Sequence, residues 1–230
     1  MSSMQIRRGF ILTIIVIGML IGYGMLRYPL IVNEAGVLSL LTPAFLLLLY
    51  GVVAIIVTHK PGQARSNALK SGTVFGLLVG LTFIVTISVE NFVDMDRQVS
   101  TISTLGFMLF IFLIFAYAGW HGTNESSQLS LGIFTSVWSS MIGVVIALLF
   151  GFTINFLFTQ RLEQNLQASA EYLRSGSHDL ETFTFWNTLD SASSHLLEAP
   201  IIAVVLGTLG SLIRLGFNKL QKKSADGQKY

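Results

Sequence analysis

The sequence contains no cysteine, and charged residues make up only 11% of it. The first absence excludes disulfides, thiolate metal sites and a cysteine nucleophile. The second lies far below the roughly 25% charged residues of soluble domains. Catalytic signatures are missing too: there is no H-E-x-x-H, G-x-S-x-G, Walker A or EF-hand loop. No enzyme is expected, and neither a cofactor nor a metal is assigned. The net charge of +2 is too small to argue for a nucleic-acid partner.

What the chain does have is apolar length. Hydrophobic residues make up 52% of it, and its mean hydropathy is +0.68. A helix crossing ~30 Å of hydrocarbon needs ~20 apolar residues. Six stretches approach or exceed that, at 9–26, 36–58, 71–89, 102–120, 130–158 and 199–217. Backbone amides in hydrocarbon must bond within their own segment, so these stretches predict helices. The expected fold is all-α: a polytopic membrane bundle of six transmembrane helices with an extracytoplasmic helical hairpin. The first stretch reads as a retained helix, being longer than a signal-peptide core and lacking an A-x-A-like site. The organisation is then a five-helix region over 1–158, a hairpin over 159–198, a sixth span over 199–217 and a basic tail over 218–230. Pro43 lies inside the second span and predicts a kink there.

Charge predicts the orientation. With the N-terminus inside, ten of the fourteen basic residues fall on the inner side, among them all six lysines. The positive-inside rule then places both termini in the cytoplasm of a cell-membrane protein. Ten of the twelve acidic residues fall on the outer side, which makes that surface negative.

The stretch SGTVFGLLVG, residues 71–80, raises a phosphate-loop question. It has no Lys-Ser/Thr pair and lies inside an apolar run, so it does not fit one. Spacing of four puts Gly72, Gly76 and Gly80 near one helix face, the small-xxx-small pattern of close helix approach in lipid. Gly18 and Gly22, Ser136 and Ser140, and Ala203, Gly207 and Ser211 repeat it in three other spans. These ten residues are the predicted helix-packing faces.

The predicted membrane interior is poor in polar groups. No acidic residue is expected mid-span: Glu90 ends the third span, and Arg214 lies near the inner end of the sixth, where it can snorkel. Asn155 is the buried polar candidate, expected to make an interhelical hydrogen bond. His59 and His121 fall in inner loops. His178 precedes Asp179 and Glu181, and His195 has Glu198 at i+3. These are nitrogen and oxygen donors, but histidines in a polar loop are ordinarily solvated.

The hairpin at 159–198 is the informative departure. Span five is expected to run on as one helix to Gly176, a suitable C-cap. A second helix, from about Asp179 to Glu198, is expected to lead into span six, with a bend at Ala199-Pro200. Leu162, Leu166, Ser169 and Leu173 are spaced 4, 3, 4, as are Phe185, Leu189, Ala192 and Leu196, which predicts antiparallel packing of the two arms. Phe183, Trp186 and Leu197 are left off that seam and are the candidate partner-binding residues.

The expected function is a non-enzymatic structural or regulatory membrane subunit that docks partners through the hairpin and the small-residue faces. The alternative is a small-solute transporter or substrate-capture subunit, with a cleft between spans 1, 3, 5 and 6. The expected partners are the lipid bilayer and either another membrane protein or a second copy of the chain. The alternative adds a small-molecule ligand. Six helices, this length and cytoplasmic termini resemble in layout the substrate-capture subunits of energy-coupling-factor vitamin transporters. That resemblance implies a small-residue face on the first helix that contacts a partner membrane subunit. It carries over no substrate residue, because no motif matches.

Overall fold

The computed structural model describes residues 2–167, 169–177 and 179–227. They form eight helices, with no strand among them: α1 (Ser3–Arg27), α2 (Ile31–Thr58), α3 (Gln63–Phe92), α4 (Arg97–Ser126), α5 (Leu129–Leu157), α6 (Thr159–Gln167), α7 (Ala170–Ser175) and α8 (Leu180–Gly227). Six of these, all but α6 and α7, are long and apolar enough to cross a membrane. Large apolar side chains are exposed along α1, α2, α3, α4 and α8, as at Leu12, Leu48, Val74, Ile102 and Ile201. Such a belt would be a liability in water and is ordinary against lipid tails.

Local chemistry sets the ends. Ser2 and Gln5 form a capping box on α1, and Asp96 caps α4 through the Val99 amide at 2.9 Å. Gly36, at φ +73°, breaks α2 near its start, so the apolar part of that helix is Ser39–Thr58. Pro43 lies within that part.

α5 is the central helix. Of its apolar window 61% is buried, against at most 44% in any other span. It packs against α1, α3, α4 and α8, while α2 covers α1 and α8. The sequence of α5 permits this centrality: Ser136, Ser139, Ser140, Gly143 and Ala147 keep its surface thin on several sides. The parallel α3 lies flush against it. A Cβ on Gly72 would stand 2.9 Å from the Thr135 carbonyl oxygen, one on Gly76 2.6 Å from Ile142 Cβ, and one on Gly80 2.8 Å from Ile146 Cβ. Gly143 of α5 faces Val79 in return. Trp138 Nε1 donates to Thr73 Oγ1 across the same seam at 3.1 Å.

The hairpin differs from the sequence expectation. α5 stops at Leu157, and the first arm is two short helices, α6 and α7, the second ending at Gly176 with φ +69°. Leu162 is buried, whereas Leu173 is 71% exposed, so no continuous seam forms along this arm. The second arm is the opening of α8, which continues unbroken through Pro200. At 1.5 Å per residue its 48 residues span ~72 Å. Phe185, Leu189, Ala192 and Leu196 are buried, but in one core with Ile17 and Ile21 of α1, Tyr50 of α2, and Leu148 and Phe152 of α5. They pack inside the bundle rather than against the first arm. Their spacing marked a buried face; burial against the bundle's own helices covers far more of that face than a two-helix hairpin can.

Candidate functional site

Contacts across the bundle fix the height of α8. The Tyr50 hydroxyl, near the middle of the α2 span, donates to the Leu196 carbonyl at 2.8 Å. The His195 ring lies edge-on to Phe83, two-thirds of the way along α3, with ring centroids 5.6 Å apart. Residues 195 and 196 thus lie within the height of the bundle, not in a loop beyond it. The absence of an acidic residue mid-span does not hold: Glu198 lies three residues further in.

Two halves of the bundle pack differently. Toward the end that carries the N-terminus, α4, α5 and α8 touch backbone to backbone. Ser136 Oγ donates to the carbonyls of Phe115 at 3.0 Å and Ala203 at 2.9 Å. Ser211 Oγ donates to the Gly119 carbonyl at 3.0 Å, and a Cβ on Gly207 would stand 2.5 Å from that of Ser136. A Cβ on Gly119 would run into the Gly207 backbone, and one on Gly210 into the Ala116 carbonyl. Toward the other end, which carries the α3–α4 loop and α6, phenylalanines replace the glycines and the helices separate. The gap is an open cavity of about 570 Å³ among α3, α4, α5, α6 and α8.

Its walls are mostly apolar, with Phe83, Ile111, Phe115, Leu148 and Phe152 among them. One face of α8 supplies the polar part: Thr184, Asn187, Thr188, Ser191, His195 and Glu198, at spacings of three and four that align on a helix. The adjoining face of that helix carries the buried seam from Phe185 to Ala199, whose Ala192 and Ala199 also border the cavity. α3 contributes Thr86, Glu90 and Asn91, and the Glu90 carboxylate accepts from Thr104 Oγ1 of α4 at 2.8 Å. α6 lies over one end, with Leu162, Asn165 and Leu166 on the lining. Arg161 ties it down, pairing with Asp94 at 2.5 Å and donating to the Asn91 carbonyl at 3.0 Å.

The sequence-predicted residues fall as follows. Gly72, Gly76, Gly80, Ser136, Ser140, Ala203, Gly207 and Ser211 are all buried in helix contacts. Gly18 and Gly22 are exposed, with no described atom within 4 Å of an added Cβ on either. Asn155 is buried beside the cavity, and its Nδ2 donates to Thr188 Oγ1 at 2.8 Å, joining α5 to α8. Of the three residues assigned to a partner, Leu197 is 48% exposed, but Phe183 is only 2% exposed, packed between Tyr172 and Trp186. Trp186 packs against the main core. Phe183 has no surface to offer a partner, because the bundle and α7 already cover it. His121 is inside α4 rather than in a loop, with Nε2 3.2 Å from Glu125 Oε1. His178 lies outside the described residues, and no three potential metal ligands converge among those described.

At the α6 end the Glu163 carboxyl is held above the ordinary carboxylate range. Burial is the main cause, with the negative charges of Glu181 and Asp179 adding to it.

Sequence reasoning placed a cleft only under its alternative function, between spans 1, 3, 5 and 6, and did not identify the polar stripe that lines it. It read the polar residues of 184–198 as a solvated face of an outer hairpin. The available signal was that these residues form one stripe beside an apolar seam, on a helix that enters an apolar span without a stop. The cleft also sits differently from the expected one: α4, not α1, forms its wall.

Fold and site together define the class: an all-helical bundle with six helices suited to a bilayer, closed by glycine and serine contacts at one end and hollow at the other. No known family, curated protein or solved structure matches the chain.

Proposed function

We propose that the chain is a multi-pass cell-membrane protein, with both termini cytoplasmic, that admits a small solute from the outer side into the cavity between α3, α4, α5 and α8. The observation that carries this reading is the cavity itself, about 570 Å³, reaching into the bundle and striped with polar side chains from α8. Small-molecule sites commonly have volumes of roughly 300–1,000 Å³, mostly apolar walls and a few convergent polar groups. Polar and ionisable residues at membrane depth are costly and characteristically face a water-filled path or a ligand. Close packing on the terminal side and separation on the other is the form of a carrier or capture subunit open to one side.

The test exploits the absence of native cysteine. A Ser191→Cys variant should react with a small water-soluble thiol reagent, because Ser191 is exposed on the cavity wall. A broad set of small solutes is then screened for thermal stabilisation of the purified chain. A stabilising solute should slow modification of Ser191→Cys and leave a surface cysteine, such as Gln63→Cys, unaffected. Stabilisers that never protect Ser191→Cys, or a screen with no stabiliser, would overturn the reading.

Docking of a membrane partner or a second copy is a separate reading favoured by one observation. Gly18 and Gly22 form an exposed small-residue face on α1 that no described helix covers. A capture subunit would use both features at once.

A further inference from the structure

Resting on the solute-site reading, we infer that the cavity takes an organic cation with an apolar body. The argument begins with the charges on the lining. Glu90 and Glu198 contribute carboxylates and His195 an imidazole, and no lysine or arginine is among the lining residues. Arg161 is the nearby base on α6, and it is engaged by Asp94 and the Asn91 carbonyl. Glu90 accepts from Thr104, whereas no described residue pairs with the Glu198 carboxylate.

Position makes Glu198 the more telling of the two. It lies two residues beyond Leu196, whose carbonyl meets Tyr50 at the middle of α2. Glu198 is exposed on the cavity wall, and the surrounding phenylalanines and aliphatic side chains focus the field of its unpaired charge into that space. A cation in the cavity supplies the missing countercharge. An anionic solute would meet repulsion from the same carboxylate.

The remaining lining selects the kind of cation. Phe83, Phe107 and Phe112 are partly exposed on the lining, and the buried Phe115 and Phe152 back it. Aromatic faces attract ammonium and guanidinium-like groups and bury apolar ligand surface. An inorganic divalent ion fits poorly, because hard cations take about six or more oxygen ligands. No three potential ligands converge among the described residues. A charged nitrogen group directed to Glu198, with a hydrocarbon or aromatic body among the phenylalanines, uses both parts of the lining.

The experiment uses the full chain in detergent and three rigid probes of one shape: 2-naphthamidine, a cation, 2-naphthamide, neutral, and 2-naphthoate, an anion. Binding is measured at neutral pH by equilibrium dialysis against protein-free micelles. The amidine should bind about tenfold or more tighter than the amide, as a charge-assisted contact implies. The naphthoate should bind most weakly. Glu198→Gln should remove most of the amidine's advantage and leave the amide's affinity unchanged, and Glu90→Gln should have the smaller effect. Equal binding of amide and amidine, or preference for the naphthoate, overturns the charge inference while the solute site stands. Binding of none of the three also overturns it, and the solute site is then decided separately by protection of Ser191→Cys. Should Glu198→Gln fail to fold, the wild-type ranking and the Glu90→Gln variant still decide.

Discussion

At Gly76 the backbone of α3 comes so close to α5 that a single methyl group has no room. Its Cβ would meet Ile142 Cβ at 2.6 Å and the Ser139 carbonyl oxygen at 2.8 Å, and the second is backbone that cannot rotate away. Gly76→Ala should therefore destabilise the bundle by about 1–3 kcal/mol, the usual cost of overpacking. Gly18→Ala is the matched control on a helix of similar composition. With no described atom within 4 Å, it should change stability by no more than about 0.5 kcal/mol in either direction. Thermal midpoints in detergent read both. A Gly76→Ala protein as stable as wild type would mean that α3 and α5 do not approach as described. The periodic glycines were visible in the sequence as helix-face positions, because spacing alone determines which residues share a face. Whether a face meets another helix depends on the neighbour, and nothing within α1 distinguishes Gly18 from Gly76.

α8 illustrates what an element hides when read alone. Pro200 has no amide hydrogen, so the carbonyl four residues earlier, that of Leu196, loses its helical donor. The helix nonetheless continues through Pro200, and the Tyr50 hydroxyl of α2 donates to that carbonyl at 2.8 Å. A side chain 146 positions away in sequence replaces the bond that proline removes. The predicted bend at Ala199-Pro200 considered only the local preference, and a tertiary hydrogen bond overrides it. Tyr50→Phe should then cost about 1–3 kcal/mol by orphaning a buried carbonyl. In a Pro200→Ala background the restored amide satisfies Leu196, and the same Tyr50→Phe change should cost at least about 1 kcal/mol less. Additive effects in this double-mutant cycle would sever the link between proline and tyrosine. The polarity of the same helix explains the other misreading. Asparagine, threonine, serine, histidine and glutamate over 184–198 look like solvent-facing residues when burial is unknown. The apolar seam beside them, Phe185 to Leu196, was legible, but the helices that bury it come from three distant parts of the chain.

For the whole molecule, orientation decides what the cavity is for. Six apolar helices were legible from composition and run length, which need no tertiary information. The polar stripe and the walls that meet it were not, because they arise from a contrast between two ends of the bundle: glycine and serine contacts among α4, α5 and α8 at one, and phenylalanines of α3, α4 and α5 facing polar residues of α8 at the other. Charge follows the same axis. The tail of α8, beyond the close-packed end, holds Arg214, Lys219, Lys222 and Lys223, whereas Glu90, Asp94, Asp96 and Glu163 cluster near the hollow end. Lysine and arginine are retained on the cytoplasmic side, so the hollow end should face outward. Cysteines replacing Gln164 of α6 and Gln63 of α3, both exposed, test this in intact cells. A membrane-impermeant thiol reagent should modify Gln164→Cys, and Gln63→Cys only after the membrane is opened. The result also fixes the direction of solute entry. Labelling at Gln164→Cys would mean that the cavity samples the exterior, as a capture or uptake protein requires. Labelling at Gln63→Cys alone would turn the same cavity toward the cytoplasm. The proposed cation site at Glu198 would then be loaded from within, and the reading of the chain as an outward-facing capture protein would fall.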